Sequence, residues 1–115
     1  MDIDSFYYLD IIRNIILALP GTEEYTCFGT PAFRIKKKLL ARMKEDGKTL
    51  AVHSEERETW MKYDPAVFFI TDHYRNYAMV LVNLTVVKPE DLTSLLQHAW
   101  KQIAPKRLLK ENEIK

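Results

Sequence analysis

At 115 residues, 47% apolar and 29% charged, the chain is sized for one folded domain, residues 1–115, with a real hydrophobic core, and disorder is excluded as its class. Cys27 is the only cysteine, so no intramolecular disulfide can form, and a reducing, cytoplasmic setting is expected. The net charge of +1 conceals sorting: residues 33–53 carry +5, residues 101–115 carry +3, and the remainder carries −7.

Ile3 to Leu19 is almost continuously apolar, with Asp10, Arg13 and Asn14 grouped on one helical face. This predicts an amphipathic helix with a wide buried face, capped by Asp2 or Asp4 and stopped at Pro20-Gly21. Its longest apolar run, Ile15 to Leu19, is too short to span a membrane, and Asp2, Asp4 and Asp10 occupy the place of a basic signal-peptide region.

From Glu24 the apolar period becomes two. Tyr25 to Phe28, Phe33 to Ile35, Leu39 to Lys44 and Thr49 to His53 read as strands. Asp46-Gly47 is a two-residue type I′ hairpin signal that pairs Met43 with Leu50. A three-residue loop at Lys36-Lys37-Lys38 pairs Ile35 with Leu39 and Phe33 with Ala41. Leu39, Ala41, Met43, Leu50 and Val52 then share the core face, and Leu40, Arg42, Lys44, Thr49, Ala51 and His53 the opposite one.

Ser54 is the expected N-cap of a short helix running to about Tyr63, with Trp60 and Met61 buried and Asp64-Pro65 as its stop. Val67 to Ile70 and Met79 to Leu84 are strand candidates, separated by a polar, aromatic loop from Thr71 to Tyr77. Pro89, Glu90 and Asp91 open a last long helix whose core stripe is Leu92, Leu95, Leu96, Ala99, Trp100 and Ile103. Pro105 interrupts it, and Lys106 to Glu113 either forms a short basic helix or frays. Strands and helices segregated in this way indicate an α+β fold: an antiparallel sheet of about five to six strands with N- and C-terminal helices packed on it.

Several groups of residues are chemical candidates. Arg34, Lys36, Lys37, Lys38, Arg42, Lys44 and Lys48 would make a basic hairpin surface able to neutralise phosphates. The alternative is a solvated sheet face whose lysines discourage edge-to-edge association. Near that patch, Phe28 and Phe33 are expected in the core. Lys101, Lys106, Arg107 and Lys110 form a second cluster, which either adds to an anion site or simply complements a helix dipole. His73, Tyr74, Arg75 and Tyr77 either line a ligand pocket or pin their loop by hydrogen bonds. Cys27 lacks any signature of a nucleophile and is expected to be a core residue rather than a partner of His53 or His73. No histidine spacing suits a metal. The acids Asp2, Asp4, Asp10, Glu23 and Glu24 fit capping better than iron binding, and no dinucleotide or phosphate-loop motif is present.

The chain also resembles the MmcQ/YjbR family over nearly its whole length. The resemblance rests on Leu19-Pro20-Gly21 with Glu23-Glu24, Phe28-Gly29-Thr30-Pro31-Ala32-Phe33, Lys38 with Ala41-Arg42, and Asp64-Pro65 with Phe68. His73-Tyr74, Val80-Leu81-Val82 with Leu84, and Trp100 through Ala104-Pro105-Lys106-Arg107-Leu108 complete it. It implies a frataxin-like (CyaY-like) fold with two hairpins, a double wing, proposed to bind DNA. Family members often carry glycine where Lys37 stands, tryptophan at Met79 and arginine at Asn83. A strained Lys37 and a weakened surface at the other two positions are therefore expected. The expected function is weak, electrostatic, largely sequence-independent nucleic-acid binding by a monomer without cofactor or metal. The alternative is a protein-interaction or small-ligand-binding module; catalysis is not expected.

Overall fold

The computed structural model describes residues 3–113. The chain runs through helix α1 (Ile3–Ile16), strands β1 (Thr22–Cys27), β2 (Thr30–Ile35), β3 (Lys38–Met43) and β4 (Thr49–His53), and helix α2 (Arg57–Tyr63). Strand β5 (Phe68–Phe69), a 3₁₀ turn (Asp72–Tyr74), strand β6 (Met79–Asn83) and helices α3 (Pro89–Ile103) and α4 (Lys106–Glu113) follow. The six strands form one antiparallel sheet in the order β1-β2-β3-β4-β6-β5. It is the predicted α+β architecture, with both long helices on a single face of the sheet.

That face holds the main core. Phe33, Ile35, Leu40, Met43, Leu50, Val52, Val80 and Val82 from the sheet meet Leu9, Ile12 and Ile16 of α1 and the predicted stripe of α3. The α3 stripe matches the prediction residue for residue, because Leu92, Leu95, Leu96, Ala99, Trp100 and Ile103 follow the helical period and nothing competes with it. Helix α1 buries less than expected. Only Ser5, Leu9, Ile12 and Ile16 are fully covered, while Ile3, Phe6 and Tyr7 are exposed. It ends three residues early, where the Thr22 hydroxyl lies 2.9 Å from the carbonyl oxygens of both Ile16 and Leu19 and adds to the turn hydrogen bonds those helix-end acceptors receive from the Leu19 and Thr22 amides. Asp4 lies in its first turn; Asp2, the other expected cap, falls outside the described residues.

The turns depart from expectation in an informative way. The type I′ geometry belongs to Phe28-Gly29, where φ is +51° and +78°, and not to Asp46-Gly47, where only Gly47 is positive. The β3–β4 connection is instead a four-residue loop closed between Lys44 and Thr49, yet it keeps the predicted Met43–Leu50 register. Asp46 organises it by accepting hydrogen bonds from the amides of Lys48 and Thr49 and from the Thr49 hydroxyl.

Between β2 and β3 the predicted three-residue loop is a two-residue one. Ile35 pairs with Lys38, Arg34 with Leu39, and a bulge then restores the predicted Phe33–Ala41 pair. One extra residue on a strand reverses the faces on its near side. Leu40 therefore enters the core and Leu39 turns to the opposite face, the reverse of the expectation. The backbone strain falls on Lys36, φ +56°, rather than on Lys37. Ser54 is not a helix cap: its hydroxyl accepts from the Glu56 amide in a turn before α2, which starts at Arg57. Trp60 and Met61 are half-buried, packed on the core edge.

Candidate functional site

The predicted basic surface divides in two. Arg34 lies across from Glu23 on β1, donates to it at 2.7 Å and stacks its guanidinium 4.2 Å from the Tyr25 ring centre. Arg42 is only 7% exposed; its Nε donates to the Cys27 carbonyl and its Nη2 to the Glu45 carboxylate at 2.6 Å. That hydrogen bond from Arg42 is the chief cause holding the Glu45 carboxyl below its ordinary pKa. Lys44 donates to the Tyr74 hydroxyl at 2.8 Å and stands 3.8 Å from Glu45. These three cations are thus occupied by acids or aromatic groups and do not form an open positive face.

Lys36, Lys37 and Lys38 are exposed at the β2–β3 turn and form no ion pair among the described residues, as do Lys106, Arg107 and Lys110 of α4. Sequence alone leaves the distance between these two groups open. In the fold, Gly21 receives a neighbour from each: a Cβ there would meet Leu108 Cδ1 at 2.7 Å and Ile35 Cγ2 at 3.7 Å. Leu108 lies in the first turn of α4, and Ile35 is the last residue before the lysine turn. Lys38, paired directly with Ile35, projects to the same side of the sheet. Lys48 is exposed in the β3–β4 loop at the other end of β3, apart from this basic edge.

The face of the sheet opposite the helices carries a different feature, a cleft of ≈ 600 Å³. Its floor is Leu39, Ala51 and Met79, and Arg42 and Lys44 project beside it. Phe28 stands at one side, 87% exposed and 5.3 Å from the Arg42 guanidinium; Tyr74 stands at another, 5.1 Å from Lys44 Nζ. The expectation that Phe28 is core is thus overturned. The Phe28-Gly29 turn projects its side chain beyond the sheet, whereas Phe33 is fully buried. Cys27, also expected in the core, is half-buried in the cleft wall.

The loop after β5 supplies the remaining wall. His73 packs edge-on to Tyr74 at 4.9 Å and lies 6.1 Å from Tyr77. Arg57, in the first turn of α2, holds this loop by donating to the carbonyls of Tyr74, Arg75 and Tyr77 at 2.6–2.8 Å. Of the four predicted loop residues, His73, Tyr74 and Tyr77 line the cleft; Arg75 is turned outward and bound to Asp72. Sequence reasoning missed Phe28, Leu39, Met79 and the clamp Arg57. Gly29-Thr30-Pro31 was a signal for Phe28, because a tight turn throws its first residue outward. Arg57 had none.

The acidic residues near α1 do not converge. Glu24 binds Arg13 through two hydrogen bonds of 2.7 Å, and Glu23 binds Arg34 from the next position along β1. Among the described residues, no three metal-ligating side chains come together and no helix is long and apolar enough to cross a membrane.

Fold and site define a small α+β domain with an antiparallel sheet, helices on one face and an open aromatic cleft on the other. The chain belongs to the YjbR family, whose model matches residues 17–102. It is 34% identical over 68 residues to uncharacterised proteins of Mycobacterium bovis and Mycobacterium tuberculosis, a match covering 59% of this chain and 46% of theirs. A crystal structure from Deinococcus radiodurans, with the family-model domain DUF419, superposes with a TM-score of 0.71 at 23% identity, over 85% of this chain and 79% of that one. That likeness establishes the shared fold.

Proposed function

We propose that this YjbR domain is a non-catalytic, cytoplasmic nucleic-acid-binding protein that holds phosphates weakly and without sequence preference along its basic edge. The observation that carries this reading is the meeting of Leu108 and Ile35 at Gly21. It sets the anchors of Lys36–Lys38 and of Lys106, Arg107 and Lys110 against one glycine, and these cations form no ion pair among the described residues, which supports reading them as one basic edge. Such a surface releases counterions from a polyphosphate, so affinity should fall steeply with salt. The predicted contacts through Arg34, Arg42 and Lys44 do not enter this edge, since Arg34 is paired with Glu23 and Arg42 and Lys44 stand beside the cleft on the opposite face.

Fluorescence anisotropy of labelled duplex and single-stranded DNA, titrated at rising salt, tests the reading. The expected result is binding at low salt that weakens about tenfold or more in Lys36→Glu/Lys38→Glu. Absence of binding at low salt, or binding indifferent to salt and to the substitutions, would overturn it. For the non-catalytic part, Cys27 is expected to react slowly with a thiol reagent in the folded protein; rapid labelling would argue for an activated thiol.

A further inference from the structure

The cleft on the open face of the sheet has features that the basic edge does not use. A phenylalanine with positive φ is a backbone outlier, since only glycine enters that region freely. Burial does not account for it either, because Phe28 is among the most exposed apolar residues described. The turn holds a large ring in water, in a costly conformation, beside a buried guanidinium. Across the same cleft, Tyr74 lies beside a second cation, Lys44, and Arg57 fixes its loop in advance of any ligand. A flat apolar floor, ring walls and two cations against one rim acid, Glu45, describe a complement to a flat ring bearing negative charge.

We propose that this cleft binds a nucleotide: a planar heteroaromatic ring lying on Leu39, Ala51 and Met79 against Phe28 and Tyr74, with its phosphate at Lys44 and Arg42. The cations are suitably disposed. Arg42 commits Nε and Nη2 but makes no hydrogen bond through Nη1 among the described residues, and the Lys44–Glu45 contact is a loose 3.8 Å. The volume of ≈ 600 Å³ accommodates a ring, a sugar and one phosphate. The same chemistry is presented by a free mononucleotide and by an unpaired base of a strand. The site stands independently of the basic edge.

The test uses the full chain with the fluorescent mononucleotide 1,N6-etheno-AMP and, separately, with a labelled single-stranded dodecamer. Phe28→Gly is the informative variant, because glycine fits φ +51° and should fold at least as well as the wild type. The expected result is ligand binding that weakens about tenfold in Phe28→Gly and also falls in Lys44→Met, with melting temperature not lowered in Phe28→Gly. Lys36→Glu/Lys38→Glu should leave etheno-AMP binding unchanged, so failure of the edge and failure of the cleft are told apart. Dependence on Phe28 for the mononucleotide identifies a free nucleotide as the ligand, and dependence for the dodecamer alone identifies an unpaired base. No binding of either probe at millimolar concentration, or binding that neither Phe28→Gly nor Lys44→Met alters, would overturn the proposal.

Discussion

The open cleft and the basic edge draw on neighbouring positions of one hairpin, yet their cations have opposite fates. Arg34 and Arg42 sit on paired strands, where the ladder puts Glu23 opposite Arg34 and the loop just after β3 brings Glu45 back to Arg42, and both are bound at 2.6–2.7 Å. Lys36, Lys37 and Lys38 sit at a turn, with no ion-paired acid among the described residues. Formal charge counted along a sequence is therefore a poor guide to charge available at a surface. A cation on a strand is matched by what the ladder or the adjoining loop sets beside it, as Glu23 is set opposite Arg34 and Glu45 beside Arg42. One at a turn remains free for a partner outside the chain. The first kind should matter more to stability, and the second to binding along the basic edge.

That contrast can be broken from its strongest side. Arg57→Ala would release the carbonyls of Tyr74, Arg75 and Tyr77 together and should cost about 3 kcal/mol in urea unfolding. Arg42→Ala removes a buried guanidinium from the Cys27 carbonyl and Glu45, and a loss of about 2 kcal/mol is expected. Lys36→Glu/Lys38→Glu should do the reverse, changing stability by less than ~0.5 kcal/mol while reducing DNA affinity about tenfold. A large stability loss there, or none in Arg42→Ala, would remove the distinction between the two regions.

Smaller effects sharpen it. Asp46→Ala should cost about 1 kcal/mol near neutral pH by leaving the Lys48 and Thr49 amides without their acceptor. Burial raises the Asp46 pKa, but hydrogen bonds from the Lys48 amide and from the Thr49 hydroxyl and amide outweigh it and hold the carboxyl below its ordinary value. A folded pKa below the unfolded one gives stability that is complete above the unfolded value, ~4, and lost as pH falls through the folded one. Unfolding curves of wild type and Asp46→Ala should therefore converge in acid. Lys36→Gly relieves the positive φ and should add roughly 0.5–1 kcal/mol, a gain visible as a small rise in melting temperature.

What the sequence determined by itself is whatever repeats over a few residues. The α3 stripe and the α+β class follow from local periodicity, and the Met43–Leu50 register from the Asp46-Gly47 turn signal, both of which a chain segment carries wherever it is placed. The tertiary structure decided what depends on a partner distant along the chain or on one inserted residue. The β3 bulge exchanged Leu39 and Leu40 between faces. The Phe28-Gly29 turn put an expected core ring into solvent, cross-strand Glu23, eleven residues away, took up Arg34, and the Cys27 carbonyl, fifteen residues away, took up Arg42. Gly21, with no side chain, let Leu108 of α4 pack beside Ile35, the residue before the lysine turn. Fold class survives such events because it averages over many residues. A site does not, because it rests on where a few side chains end up.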